Sequence, residues 1–205
     1  MFQISTIDEQ AYKVLKQLFS ISYIKKNFAL AGGTALALQL GHRRSVDLDL
    51  FAPKSFVIAS LQDTLRKSFK ELYIPVKTGR LMFFARIDDV KTDFVMELTP
   101  LIEKFVTKGN LKLFSISDIA AMKLHTICGR GKKKDFFDIY TLLHHYSWEE
   151  MLELFRKKYN DYELQFLFRS IRYFADADID PDVYAFAPYK ANWNQIKKFI
   201  SEKCR

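Results

Sequence analysis

The chain has 205 residues, 49% of them apolar, and its seven Gly and five Pro are too few for a disordered or collagen-like tract, so a globular protein is expected. A chain of this length buries about 70% of its unfolded surface, enough for a core with an appended helical lobe. The net charge of +8 favours encounters with polyanions such as nucleotides or RNA, while Cys128 and Cys204, at no metal-ligand spacing, argue against a disulfide scaffold and for a reducing, cytoplasmic setting.

The opening stretch from Met1 to Glu9 has no basic start followed by an apolar run, and the longest mostly apolar stretch, Phe28 to Leu40, is too short to span a bilayer. Neither secretion nor membrane insertion is expected. Ile7, Ala11, Val14, Leu15, Leu18 and Phe19 recur at helical spacing, with Asp8 suited to the helix start. Phe28 to Ala31 reads as a short strand, Gly32-Gly33 as a turn, and Thr34 to Leu40 as a helix stopped by Gly41. Val46 to Phe51 alternates apolar and acidic residues, as a strand does when one face is packed and the other lines a cleft, so Asp47 and Asp49 point the same way. A helix over 56–72 precedes strand-like runs at 81–87 and 90–98, joined by a tight acidic turn at Asp88-Asp89.

From Ser115 onward the period is helical. Ser115 and Asp118 stand at capping-box spacing ahead of a helix from Ile119 to Cys128, and further helices are predicted near 134–145, 148–158, 161–174 and 192–203. The expected fold is α/β (α+β): a mixed sheet with flanking helices over 1–114, then a mostly helical lobe over 115–205, packed as one compact unit.

Two local devices carry chemistry. A glycine pair lets backbone approach a ligand, and the amides opening the next helix favour a phosphate, with Thr34 adding a hydroxyl donor. Thirteen residues after Thr34, Asp47 and Asp49 place two carboxylates on one face, a costly pair unless a cation lies between them. Mg²⁺ suits such a pair, and two ions about 3.5 to 4 Å apart would clamp an in-line displacement. Asp93, flanked by apolar residues on the neighbouring strand, is the candidate third carboxylate, ahead of the turn residues Asp88 and Asp89. Each device alone has a structural reading as well: Thr34 as an N-cap, and the Asp pair as a solvated strand edge.

The run from Ala31 to Phe51, AGGTALALQLGHRRSVDLDLF, resembles the signature of AbiEii/AbiGii toxin-type nucleotidyltransferases, a branch of the polymerase-beta-like nucleotidyltransferase superfamily. The likeness extends through Ser117 to His125, then Arg130, then Lys134-Asp135-Phe136-Phe137-Asp138-Ile139-Tyr140. It implies a nucleotidyltransferase-type sheet and transfer of a nucleoside monophosphate from an NTP to a macromolecular acceptor, in which tRNA or another RNA is a candidate. It also implies a toxin restrained by a separately encoded antitoxin. On the residues, it implies metal ligands at Asp47, Asp49 and Asp93, phosphate contacts from Gly32, Gly33, Thr34, Lys123 and Arg130, and Asp135 or Asp138 orienting Lys123 or completing the catalytic cleft. The residues alone allow a solvated Lys123 and simple dipole complementation by Asp135. Two other functions stay open: a small-molecule modifier acting on an aminoglycoside-like drug, and a non-catalytic nucleotide- or RNA-binding module.

Other signals carry less. The acidic run from Asp176 to Asp182 has Pro181 where a calcium loop needs glycine. Gly129 to Lys134 lacks P-loop spacing and reads as a basic connector, His144-His145 as helix-end residues, and Phe166, Phe168, Tyr173 and Phe174 as core aromatics.

Overall fold

The computed structural model describes residues 2–74 and 81–205. A 3-10 turn at Ile4–Thr6 leads to helix α1 (Glu9–Ser20), whose start is set as expected by Asp8, its carboxylate accepting the amides of Gln10 and Ala11. Helix α2 (Ser22–Asn27), strand β1 (Ala29–Ala31), helix α3 (Gly32–Leu40), strand β2 (Leu48–Ala52) and helix α4 (Ile58–Ser68) follow. Then come β3 (Leu72–Tyr73), β4 (Met82–Ile87), β5 (Val90–Met96), β6 (Val106–Lys108) and β7 (Leu111–Leu113). The helical remainder comprises α5 (Ile116–Gly129), α6 (Lys133–Leu142), α7 (Trp148–Lys158), α8 (Asp161–Ser170), the short α9 (Ala175–Asp178) and α10 (Trp193–Lys203).

The described strands form one mixed sheet in the order β3-β4-β5-β2-β1-β7-β6. β2 lies at its centre, antiparallel to β1 and parallel to β5, with Ala31 opposite Asp49 and Asp49 opposite Asp93. This register sets the positions of the candidate site residues. Gly41 ends α3 in the left-handed region at φ 71°, and the β4–β5 hairpin closes through Asp88 and Asp89, both at positive φ, as a two-residue primed turn demands.

Several boundaries differ from the sequence reading. α3 begins at Gly32, and β2 begins at Leu48, leaving Asp47 just before the strand. α8 stops at Ser170, and its buried residues Leu164 and Leu167, with Ile171 behind them, leave Phe166, Phe168 and Tyr173 exposed; only Phe174 of the four expected core aromatics packs inward, against Phe136 and Trp193. α2, β3 and the β6–β7 hairpin had no clear signal, being short elements without a full period.

One cluster of buried apolar residues runs from Ile7 to Cys204 and joins sheet and helices, with α5 packed against α3, α6, α7 and α8. A second tie is ionic. Ser115 caps α5 by accepting the Asp118 amide, but Asp118 does not return the bond in capping-box fashion. Its carboxylate instead accepts the amides of Ile102 and Glu103, the Ser115 hydroxyl, and Lys158 Nζ at 3.0 Å, while Lys158 also donates to Pro100 O. Both side chains are fully buried, so the pair fastens the segment after β5 to α5 and α7. Lys158→Met would leave the Asp118 charge buried without a cation and is expected to cost about 3–5 kcal/mol in urea unfolding. Lys13→Ala, which loses only an exposed partner of Glu9, should leave the urea midpoint in place.

Candidate active site

The glycine turn follows β1 directly, and because Ala31 faces Asp49 across the sheet, it lies beside the Asp49 carboxylate. Gly32 has φ 63°, and a Cβ there would fall 2.2 Å from Asp49 Oδ2. A Cβ at Gly33 would fall 2.0 Å from Arg43 Nη2 and 3.4 Å from Asp138 Oδ2. Both glycines are therefore required by the packing of charged groups. Thr34 is buried, and its hydroxyl donates to the Asp47 carbonyl and lies 2.7 Å from Ser45 Oγ. The hydroxyl expected to meet a phosphate is thus committed to the loop that carries Asp47.

That loop is gripped from both ends of the chain. Ser45 bridges Ile7, Arg43 bridges Ala185, and the amides of Arg44 and Phe186 complete the contact by donating to Tyr184 O and His42 O. Beyond it the three candidate metal ligands gather at the sheet's centre. Asp93 lies in register with Asp49; its Oδ2 takes Lys91 Nζ at 2.8 Å, and its Oδ1 is buried with no partner. Asp47 Oδ2 takes Lys134 Nζ at 3.0 Å. Burial pushes the Asp49 carboxyl up from its ordinary value, against the pull of Lys123, and the charges of Asp93 and Asp47 add to the rise. Among the described residues no group of three or more His, Cys, Asp or Glu side chains is gathered closely enough to hold a metal ion by itself.

Behind the glycine turn lies a buried ionic cluster. Asp138, on α6 and fully buried, accepts Arg43 Nε at 2.6 Å and Nη2 at 2.9 Å in a bidentate pair, His42 Nε2 at 2.7 Å, and Lys123 Nζ at 2.6 Å. Lys123, on α5, also reaches Asp135 Oδ1 at 2.8 Å. Burial opposes every charge here, yet the carboxylates raise Arg43 and Lys123, and the cations hold Asp138 well below the usual carboxylate range. His42, stacked on Phe137, is lowered by burial in spite of Asp138, so at neutral pH it is uncharged. As Asp138 can only accept, Nε2 must carry the His42 proton. Two cations then balance two carboxylates.

The sequence reading brought most of these residues together, with differences in role. Asp135 and Asp138 share a buried face of α6, where Asp138 has zero exposure and its carboxylate is taken up by Arg43, His42 and Lys123. Lys123, expected to meet a triphosphate, keeps only 8% of its side chain exposed and is held by both carboxylates. Arg130 sits past the end of α5 in extended backbone, 61% exposed and 4.0 Å from Asp135 Oδ2. His42, Arg43 and Lys91 were not foreseen, and Lys134, read as part of a basic connector and of the helix start before Asp135, pairs with Asp47. The acidic run ends the short α9 and continues as an exposed loop tied to α6: Asp180 accepts the Lys133 amide and Asp182 pairs with Lys133 Nζ. A shallow depression of about 660 Å³ lined by Gln17, Phe69, Glu71 and Asp89 contains none of the site residues.

The fold is similar to that of MenT4, a nucleotidyltransferase toxin from Mycobacterium tuberculosis, with a TM-score of 0.59 and 14% identity over 96% of this chain and 84% of that one. It is also similar to ANT(2")-Ia, solved in complex with adenylyl-2"-tobramycin, with a TM-score of 0.55 and 14% identity over 79% and 99%. The model of the family described as nucleotidyl transferase AbiEii toxin, type IV TA system, matches residues 13–203, and the chain belongs to that family of nucleotidyltransferases. It is 31% identical to the uncharacterized protein aq_aa25 of Aquifex aeolicus, over 97% of this chain and 96% of that one.

The depressed Asp138 carboxyl has a consequence for acid stability. The unfolded chain takes up this proton as pH falls below about 3.9, whereas the folded state resists, so the stabilisation is present above that pH and lost toward the folded value. Asp138→Asn should be about 3–5 kcal/mol less stable than wild type at pH 7, with the gap narrowing below about pH 4 in denaturant titrations. An equal gap at pH 7 and pH 3 would assign the loss to packing rather than charge.

Proposed function

We infer that the protein is an Mg²⁺-dependent nucleotidyltransferase that joins a nucleoside monophosphate to a hydroxyl of a macromolecule, with tRNA or another RNA as the acceptor. The observation that supports this most is the in-register pair Asp49 and Asp93, with Asp47 beside it and the glycine turn against it. The donor set suits a divalent cation. Asp93 Oδ1 is buried without a partner, and Asp49 carries both burial and two like charges, deficits a cation between them would meet. Mg²⁺ takes one or two carboxylates and completes its shell with substrate phosphates and water, which fits an open group rather than a closed cage.

In this reading the acceptor hydroxyl oxygen bonds to the α-phosphorus, the bond from that phosphorus to the bridging oxygen breaks, and pyrophosphate leaves with the electron pair. Asp93 takes the hydroxyl proton. Asp47, Asp49 and Asp93 would hold the metal, which would supply charge stabilisation to the transferring phosphoryl group. The amides at Gly32 and Gly33 and the exposed Arg130 guanidinium face the phosphates, while Asp135, Asp138 and Lys123 keep α5 and α6 in place behind them. The net charge of +8 favours a polyanionic acceptor. As the toxin of a type IV pair, the protein is opposed by a separately encoded antitoxin, and it works in the cytoplasm.

The reading is checked by supplying each labelled NTP with total RNA and, separately, with an aminoglycoside. Label is expected on RNA in the presence of Mg²⁺, lost with EDTA, and reduced more than about a hundredfold in Asp49→Ala. Label on the drug alone would move the acceptor to small molecules, and no transfer to either would sink the reading. Induced expression should arrest growth, with Asp49→Ala relieving it.

A further inference from the structure

We propose that Lys134, rather than Lys123, is the ammonium that receives the triphosphate, and that it is released to do so when a divalent cation takes the Asp47 carboxylate. The proposal rests on the nucleotidyl-transfer reading above and adds to it the identity of the phosphate-binding lysine and the exchange that frees it.

Accessibility separates the two lysines. Lys123 Nζ lies 2.8 Å from Asp135 and 2.6 Å from Asp138, inside a cluster whose two cations already match two carboxylates. Turning that ammonium toward a phosphate would leave buried Asp138 with one cation fewer, which is strongly unfavourable in a dry interior. Lys134 is 42% exposed, and it pairs with Asp47 Oδ2 at 3.0 Å, on a carboxylate itself 27% exposed. A pair this open to solvent adds little stability, so a divalent cation or a phosphate can break it.

The surrounding chain aims Lys134 at the carboxylates. The three lysines of the basic connector have three different fates. Lys132 is exposed, and Lys133 is buried against Asp180 and Asp182 of the segment after α9. Lys134 is thereby fixed as the second residue of α6, with its side chain reaching Asp47. Its backbone is held from behind as well, since Asp135 and Phe136 donate to Lys132 O, and Asp135 and Asp138 lock α6 to α5 and to Arg43. The first turn of α6 also presents the positive end of a helix dipole, which adds to the pull on an anion.

An exchange of partners follows. Without a divalent cation, Lys134 covers Asp47 and competes for the carboxylate. Once the cation is in place, the ammonium is displaced about the length of its own flexible stem, next to the phosphates that share the ion. One residue therefore has opposite effects on two ligands: it opposes the metal alone and favours the metal-bound nucleotide.

This pair of signs is the test. Mn²⁺ alone, and then Mg²⁺ with a non-hydrolysable α,β-methylene NTP, are titrated by calorimetry into the full-length protein and into Lys134→Met, Lys134→Arg and Lys132→Met. Lys134→Met is expected to bind Mn²⁺ several-fold more tightly and the Mg²⁺–nucleotide about tenfold more weakly. Lys134→Arg should restore nucleotide binding to within a few-fold, and Lys132→Met, which removes the same charge one residue away, should move neither constant by more than about twofold. Circular dichroism melts will show Lys134→Met folded, since the side chain is half in solvent. If the wild type binds nucleotide and Lys134→Met binds both ligands as the wild type does, the lysine assignment falls while the transferase reading stands. Nucleotide binding lost equally in Lys132→Met would reduce the effect to general charge and also overturn the assignment. If the wild type binds neither Mn²⁺ nor nucleotide, both fall together.

Discussion

Asp138 pairs with both Arg43 and Lys123, two buried cations that come from the loop before β2 and from α5, with Asp135 as the second balancing carboxylate, and much of the site's shape follows from this arrangement. A buried carboxylate is tolerated only when its charge is matched and its oxygens are satisfied, and here each oxygen accepts more than one donor. The requirement works outward. Arg43 can enter the cluster only if nothing projects from Gly33, and Asp49 can lie against the turn only if nothing projects from Gly32. The glycine pair suits a phosphate, but the packing of charged side chains already demands it. Any account of this motif that cites only ligand approach is therefore incomplete.

The sheet does the complementary work of holding like charges together. Parallel pairing of β2 with β5 sets Asp49 beside Asp93, and the Thr34 hydroxyl anchors the carbonyl of Asp47 just before the strand begins. Left to themselves these carboxylates would repel. Backbone hydrogen bonds along two central strands keep them adjacent, and the cost appears as the raised Asp49 carboxyl and the unpartnered Asp93 oxygen. Strain of this kind is stable only in a scaffold fixed from several sides, which explains why the loop from His42 to Asp47 is bridged by both Ile7 and Ala185.

Much of this was legible in the sequence, because its strongest signals are local. The helix start at Asp8, the stop at Gly41, the hairpin at Asp88-Asp89 and the strand carrying Asp49 each depend on residues within a few positions of one another. The resemblance to AbiEii-type proteins supplied the long-range partners Lys123 and Asp138. What remained hidden was the pairing of charges across the fold. Nothing in the run His42-Arg43-Arg44 tells which arginine is buried: Arg43 goes to Asp138, whereas Arg44 stays half exposed on Asp8. In the same way the three adjacent lysines before Asp135 look alike until Asp180 and Asp47 each claim one. The aromatic run in α8 misled for the opposite reason, since at 3.6 residues per turn its buried face carries Leu164 and Leu167.

The charges also differ with depth in what can change when a ligand arrives. In the buried cluster a broken pair leaves a charge in low dielectric, so its geometry persists whatever is bound. At the rim, Lys91 and Lys134 are each about half exposed, and each holds one oxygen of a carboxylate by a bond that water and ions can replace. A polyanion or a cation entering the cleft will therefore rearrange the rim and leave the cluster in place. This division lets one site be rigid where its carboxylates must be forced together and adaptable where its partners come and go. The boundary falls between Lys134 and its neighbour Asp135, a single peptide bond within the first turn of α6.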